Sequence, residues 1–199
     1  MKKLFLNPYT VGILVGLVIA IFSTNLAIKS QRNKEAKEQR IEATHMLENI
    51  ASEMNLNIQK IDALIPMLEN AYQDSLFVTE HTFLSTGAFQ AALAAGQLRS
   101  IPKFAFALTW YYEETERFNK RLDTIQQSIY VRPPSHPEDI KNLRRFIKIT
   151  IKDIKEHKKF LSDVKNVIDN NKSLIVEDRI QPEIEREMKV TNVGFRKLQ

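Results

Sequence analysis

Hydrophobic residues along this chain recur at spacings of three and four, with polar residues filling the positions between. One series, Ala36, Arg40, Ala43, Leu47, Ile50, Met54, Asn57, Ile61, Leu64 and Leu68, predicts a helix over 30–70 with a heptad seam. A second, Ile101, Phe104, Leu108, Tyr111, Thr115, Phe118, Leu122 and Ile125, predicts a helix over 101–130. A third, Ile140, Leu143, Ile147, Thr150, Ile154, His157, Leu161, Val164 and Ile168, predicts a helix over 136–169. A short helix over 87–95 is expected between the first two, with Ser85 or Thr86 as its cap and Gly96 ending it. Pro66 should kink or open the first helix, because it lacks the amide donor and crowds the preceding turn. Arg132-Pro133-Pro134 breaks the pattern, and Ser135 with Glu138 has the spacing of a capping box. The tail, 171–199, is expected to be loose or to hold one short helix opened by Pro182.

One stretch follows neither pattern. Tyr9 to Ile28 carries no charge and is bounded by Lys2 and Lys3 before it and Lys29 after it. Roughly twenty residues at ~1.5 Å each match a hydrocarbon core of ~30 Å. The prediction is a transmembrane helix over 9–28 after a short flank, 1–8. Ser23-Thr24-Asn25-Leu26-Ala27 offers no small-residue cleavage pair, which favours an anchor over a signal peptide. Lys29, Arg32, Lys34, Lys37 and Arg40 outnumber the two lysines before the run, so the domain is expected on the cytoplasmic side of a cell membrane. Gly12, Gly16 and Ala20 repeat every four residues and form a candidate transmembrane dimer face, for a homodimer or another membrane protein.

Few glycines and no alternating strand-like runs make the rest all-helical. The expected fold class is all-α: an N-terminal transmembrane helix continuing into an antiparallel three- to four-helix bundle over 29–170. The three long helices would alternate in direction, and the short helix would cover one end.

Composition narrows the partners. The chain has 29 basic and 24 acidic residues, a net of +5; without the flanking Lys2, Lys3 and Lys29 the balance is 26 against 24. The basic character therefore owes much to membrane flanks, and no nucleic-acid partner is expected. Lys141, Arg145, Lys148, Lys152, Lys155 and Lys159 form a basic stripe, diluted by Asp153 and Glu156 and read as a solvated bundle face.

Candidate chemistry is sparse. If the turns fall near 70–100 and 133, Asn57 faces about residue 114 and Thr115 about residue 151. Asn57, Thr115 and Thr150 would then share a layer, with Asn119 one turn away, as a register-fixing polar layer or a small-ligand pocket. Nine aromatics lie between Phe77 and Phe118; Phe83, Phe89, Trp110 and Tyr112 are the candidate partner patch, a distal aromatic core being the alternative. Glu42-x-x-His45 is half of a di-iron bundle motif, with no second copy in the chain. Hydrolase elbows, phosphate loops and zinc-protease motifs do not occur, and Glu113-Glu114 diverge on a helix. No catalytic residue, cofactor or metal is expected.

Three stretches carry a likeness: the apolar run with Ser23-Thr24-Asn25 and its basic sequel; Glu53-Met54-Asn55-Leu56-Asn57; and Leu84-Ser85-Thr86-Gly87-Ala88-Phe89 with Gly96-Gln97-Leu98, Tyr111-Tyr112 and Asn119. Through them the chain resembles a loose group of uncharacterised single-span bacterial helical membrane proteins, over residues 1 to about 125. The likeness implies an anchored helical domain and no particular activity. The expected function is a membrane-anchored interaction module; a ligand-sensing bundle is the alternative, and a metal-dependent enzyme is disfavoured by ligand number.

Overall fold

A computed structural model describes residues 8–71, 83–131 and 133–177, with side chains from Val15 onward. Its elements are α1 (Pro8–Asn70), α2 (Gly87–Ala94), a 3₁₀ turn (Gln97–Ser100), α3 (Pro102–Tyr130) and α4 (Pro137–Val176). The described residues are all-α, with no strand among them. The expected tail helix after Pro182 lies outside the described residues.

The chain forms two compact units, 1–41 and 42–199. In the first, the described part of α1 buries nothing: Leu17, Ile19, Phe22 and Leu26 are all more than half exposed. A transmembrane helix was the expectation for 9–28. Among the described residues no helix is long and apolar enough to cross a membrane. Described side chains of α1 start at Val15, inside the apolar run.

The second unit holds the core. The seams are buried where the periodicity puts them: Leu47, Ile50, Met54 and Ile61 on α1, Phe104, Leu108 and Phe118 on α3, and Ile147, Ile154 and Leu161 on α4. Pro66 sits within α1 without ending it; the helix stops four residues later, so little of its hydrogen-bond ladder depends on the missing amide. The capping box before α4 does not form. His136 is the N-cap, with no side-chain cap bond, and Pro137 occupies the first turn; Glu138 reaches toward Lys141 instead. Gly96, at φ 68°, ends α2 in the left-handed region that glycine adopts without steric cost.

Helix directions differ from the expected alternation. Arg121–Asp153, Thr115–His157 and Trp110–Phe160 place rising numbers on α3 against falling numbers on α4, so that pair is antiparallel. Asp62–Lys158 and Glu48–Lys172 do the same for α1 and α4. Hence α1 and α3 run parallel. The return path between them is 83–100: Phe83 meets Lys60, Ser85 meets Asn57 and Ala88 meets Glu53, descending α1 as it goes. The short helix thus belongs to a full limb of the bundle rather than to a cover over one end. An extended strap and two turns of helix replace a long second helix.

This arrangement is checked by crosslinking, which is simple in a chain without cysteine. Asp62→Cys with Lys158→Cys, and separately Glu48→Cys with Lys172→Cys, should each join efficiently through a short bismaleimide. A pairing of position 48 with position 158 in preference to 172 is the result that rejects the topology.

Candidate functional site: an asparagine clasp

An extended segment between helices has main-chain amides and carbonyls that no helix ladder satisfies, and burying them unpaired costs ~1–3 kcal/mol each. Two asparagines supply the partners. Asn57 on α1 accepts from the Ser85 amide through Oδ1 at 2.6 Å and donates from Nδ2 to the Ser85 carbonyl at 2.8 Å. Asn119 on α3 accepts from the Leu84 amide at 2.8 Å and donates to the Leu84 carbonyl at 3.0 Å. Successive residues of an extended chain turn their amide edges to opposite sides. The strap therefore shows Leu84 to α3 and Ser85 to α1, and each helix answers with one carboxamide in place of a neighbouring strand.

Glu53, one turn before Asn57, completes the fastening. Its Oε2 accepts from the Ala88 amide at 2.6 Å and from the Ser85 hydroxyl at 3.2 Å. Its Oε1 accepts from the Tyr111 hydroxyl at 2.9 Å. The Ala88 amide lies in the first turn of α2, where exposed N–H groups and the helix dipole favour an anion. Thr86, the N-cap by position, makes no side-chain cap bond to the backbone of its helix; its hydroxyl accepts from the Gln90 side chain at 3.2 Å and donates to Glu116 at 3.1 Å. So α2 is capped from α1, not by its own preceding residues as the local sequence suggests.

Tyr111 joins the halves of the site: wholly buried, it donates to Glu53 and accepts from Asn57 Nδ2 at 3.0 Å. Burial, and then the charge and hydrogen bond of Glu53, push its phenol well above the ordinary range. It remains a neutral donor. Below it, Thr115 donates to the Tyr111 carbonyl at 2.8 Å and lies 3.3 Å from His157 Nε2. With the threonine hydrogen so engaged, the longer contact is made by His157 donating through Nε2.

Of the sequence-selected polar residues, Asn57, Thr115 and Asn119 meet within this network. Thr150 does not: it is buried but bonds the carbonyl of Phe146 in its own helix, and it lies seven residues, or ~10 Å, from His157 along α4. The α3–α4 turn is centred a few residues later than Pro133, which moves the whole register. Glu53, Ser85, Tyr111 and His157 were not assigned to the layer from sequence. Glu53 and Asn57 stand four apart and so on one helix face, a spacing that marks them.

The aromatic patch divides. Phe89 is buried and stacks on Tyr112 at 4.8 Å. Trp110 packs edge-on to Phe160 at 4.3 Å. Phe83 is exposed. Three of the four thus belong to the core and its edge, and Phe77 lies outside the described residues. His45 is exposed beside Glu48 at 3.3 Å. Among the described residues no three histidine or carboxylate side chains gather as metal ligands.

No family model, curated protein or solved structure matches this chain.

Each asparagine clasp holds both polar groups of one strap residue. Asn57→Ala and Asn119→Ala should each destabilise the domain by ~2–4 kcal/mol in denaturant unfolding, and Tyr111→Phe by ~1–2 kcal/mol. Values within a few tenths of wild type would mean that the strap is not held this way.

His157 gives a pH dependence. Full burial lowers its pKa to about 3, against 6.5 when exposed. Between those values the unfolded chain binds the extra proton, so stability should fall as pH drops from about 6.5 toward 3 and should level off below. Glu114 acts in the opposite sense. Burial raises its carboxyl despite the charges of Arg117 and Arg121, so its contribution fades as pH rises through that raised value. Urea titrations from pH 4 to 7 should show a shallower slope in His157→Gln than in wild type; an unchanged slope contradicts the assignment.

Proposed function

We propose that this protein is a membrane-anchored helical interaction module, held by the run 9–28 and acting through protein contacts rather than by catalysis. The observation that carries the reading is the first part of α1. Leu17, Val18, Ile19, Phe22 and Leu26 are all exposed and cover an arc of ~200° of the helix, and the remaining arc holds Gly16, Ala20 and Ala27 with the hydroxyls of Ser23 and Thr24, so no charge lies on any side. A helix that is apolar on all sides requires a non-aqueous surrounding. The hydroxyls of Ser23 and Thr24 turn back to the carbonyls of Ile19 and Ala20, at 2.9 and 2.7 Å, which suits side chains with no water to bond. The part of the run with described side chains, 15–28, is shorter than a crossing, and the sequence supplies the remaining apolar residues from Tyr9.

The inner polar groups support an architectural role. Glu53, Asn57, Tyr111 and Asn119 bond the strap and one another, which favours a register-fixing layer over a ligand pocket. The positive charges after residue 28 support a cytoplasmic domain. Self-association through Gly16 and Ala20, with Gly12, belongs to the same proposal: a Cβ at Gly16 would meet nothing within 4 Å, leaving that face open to another helix.

The test is alkaline carbonate extraction of the full chain expressed with a C-terminal reporter. Wild type should stay in the membrane pellet, and Val18→Arg with Phe22→Arg should shift most of it to the supernatant, since each central charge costs ~3 kcal/mol. Release of the wild-type chain by carbonate sinks the reading.

A further inference from the structure

The ion pairs between α1 and α4 share one pattern: a lysine of α4 meets a carboxylate of α1. Lys172 holds Glu48, Lys158 holds Asp62 and Lys155 holds Glu69. At Glu69 the supply of acid stops, because α1 ends at Asn70. The cations continue. Since α4 runs antiparallel to α1, its residues before Lys155 lie past that end. From Ile140 to Lys152 it carries Lys141, Arg144, Arg145, Lys148 and Lys152, with no acidic residue among them. At ~100° and ~1.5 Å per residue, these cations fall within an arc of ~100° and span ~17 Å. Arg144 and Lys148 lie within ~20° of Lys155, so they prolong the edge of α4 that receives α1. All of them are exposed, and the buried row Leu143, Ile147 and Ile154 faces elsewhere. Lys141 stands 3.8 Å from Glu138; among the described residues the others have no carboxylate partner. Asp153 and Glu156, which dilute the stripe in the sequence, come after Lys152, and Asp153 is engaged by Arg121 of α3 at 2.6 Å.

We infer that this row seats an acidic helix of a partner protein, packed along α4 where α1 ends. The inference rests on the reading of the domain as an interaction module and names a docking surface for it, with the chemistry that fits. Charge complementarity selects an anionic partner. The molecule itself shows which anion suits this edge of α4: a helix, α1, whose Asp62 and Glu69 stand about two turns apart and meet Lys158 and Lys155. A partner helix with carboxylates at that spacing meets Arg144, Lys148 and Lys152 in the same way. Arg144 and Arg145 add planar forks that take a carboxylate through two parallel bonds. Ile149, beside Arg145 on the helix surface, is 46 % exposed, and Ile140 is half-buried. They offer the apolar contact that a protein interface uses next to its charges. Nucleic acid fits less well, because the aromatics that would stack on bases are turned inward: Phe160 is buried against Trp110 and Phe146 packs on the core.

The probe is a fluorescent peptide of about four turns, stapled as a helix, with glutamates at i, i+4 and i+7 on one face and leucines beside them. Its control is a stapled peptide of the same composition with the glutamates spread around the helix. Fluorescence anisotropy is read with the full chain in neutral-lipid nanodiscs. The patterned peptide should bind at least ~tenfold more tightly than the control, and ~0.5 M salt should remove the difference. Lys148→Gln with Lys152→Gln should weaken the patterned peptide at least ~tenfold, with helicity by circular dichroism unchanged. Lys148→Glu with Lys152→Glu should reject that peptide and accept its counterpart with lysines in place of glutamates. Carbodiimide should join the peptide to Lys148 and Lys152 in preference to Lys120 of α3, which is also exposed. Equal binding of the two peptides, or crosslinks as strong at Lys120 as at Lys148, would overturn the inference. So would a duplex oligonucleotide that binds more tightly than the patterned peptide and loses this with the same glutamine variant. Carbonate extraction separates this result from the anchor. A chain that stays in the pellet but does not tell the peptides apart fails only the row. One that carbonate releases, yet that discriminates between them, keeps the row and loses the anchor.

Discussion

The second unit depends on how buried main-chain polar groups are paired. A helix satisfies its own backbone, but an extended strap between two helices cannot, and this bundle has such a strap where a long helix would otherwise stand. Asn57 and Asn119 resolve the problem with carboxamides that copy the donor and acceptor arrangement of a peptide group. Glu53 extends the same solution into the first turn of α2, and Tyr111 ties the clasp to α3. Remove these bonds and residues 83–88 have no reason to lie inside the bundle, so the direction of every later helix depends on them.

That dependence explains the parallel pairing of α1 and α3. A direct turn from α1 into a long second helix would have made those neighbours antiparallel. Because the return limb is the strap, α2 and the 3₁₀ turn, α3 restarts from the lower end and climbs beside α1. The clasp asparagines sit on the two parallel helices and reach the strap from opposite sides. The ion pairs of α1 with α4, Asp62–Lys158, Glu69–Lys155 and Glu48–Lys172, then close the outer seam. Being largely exposed, they set register more than they add stability.

Much of this was legible in the sequence, and for a consistent reason. Leu47, Ile50, Phe104, Phe118, Ile147 and Leu161 are buried because a period of 3.6 places them on one face, and periodicity is a local property. Gly96 ends its helix for an equally local reason. What failed were inferences that needed two distant segments at once. The capping box at Ser135 and Glu138 had the right spacing, yet Glu138 faces Lys141. The cap of α2 was sought at Ser85 or Thr86 and comes instead from Glu53, more than thirty residues earlier. Thr150 was placed opposite Thr115 by counting from a turn at Pro133, and a shift of a few residues in that turn brought His157 there instead. Asn57 was recognised as a polar intruder in an apolar seam facing α3, and it does reach Tyr111 there, but the strap that takes both ends of its carboxamide was not foreseen.

The clasp reads main chain and ignores side chains. Both carboxamides would bond any residue able to stay extended, so the kinds of residue there are set by other contacts: Leu84 is buried in the core and the Ser85 hydroxyl bonds Glu53. Length is another matter. One residue inserted between positions 84 and 85 would turn the edge meant for α1 toward α3, and would leave an asparagine facing side chain instead of peptide. The clasp therefore fixes how many residues this segment has, while the core around Leu84 and the carboxylates of Glu53 and Glu116 bear on which residues they are.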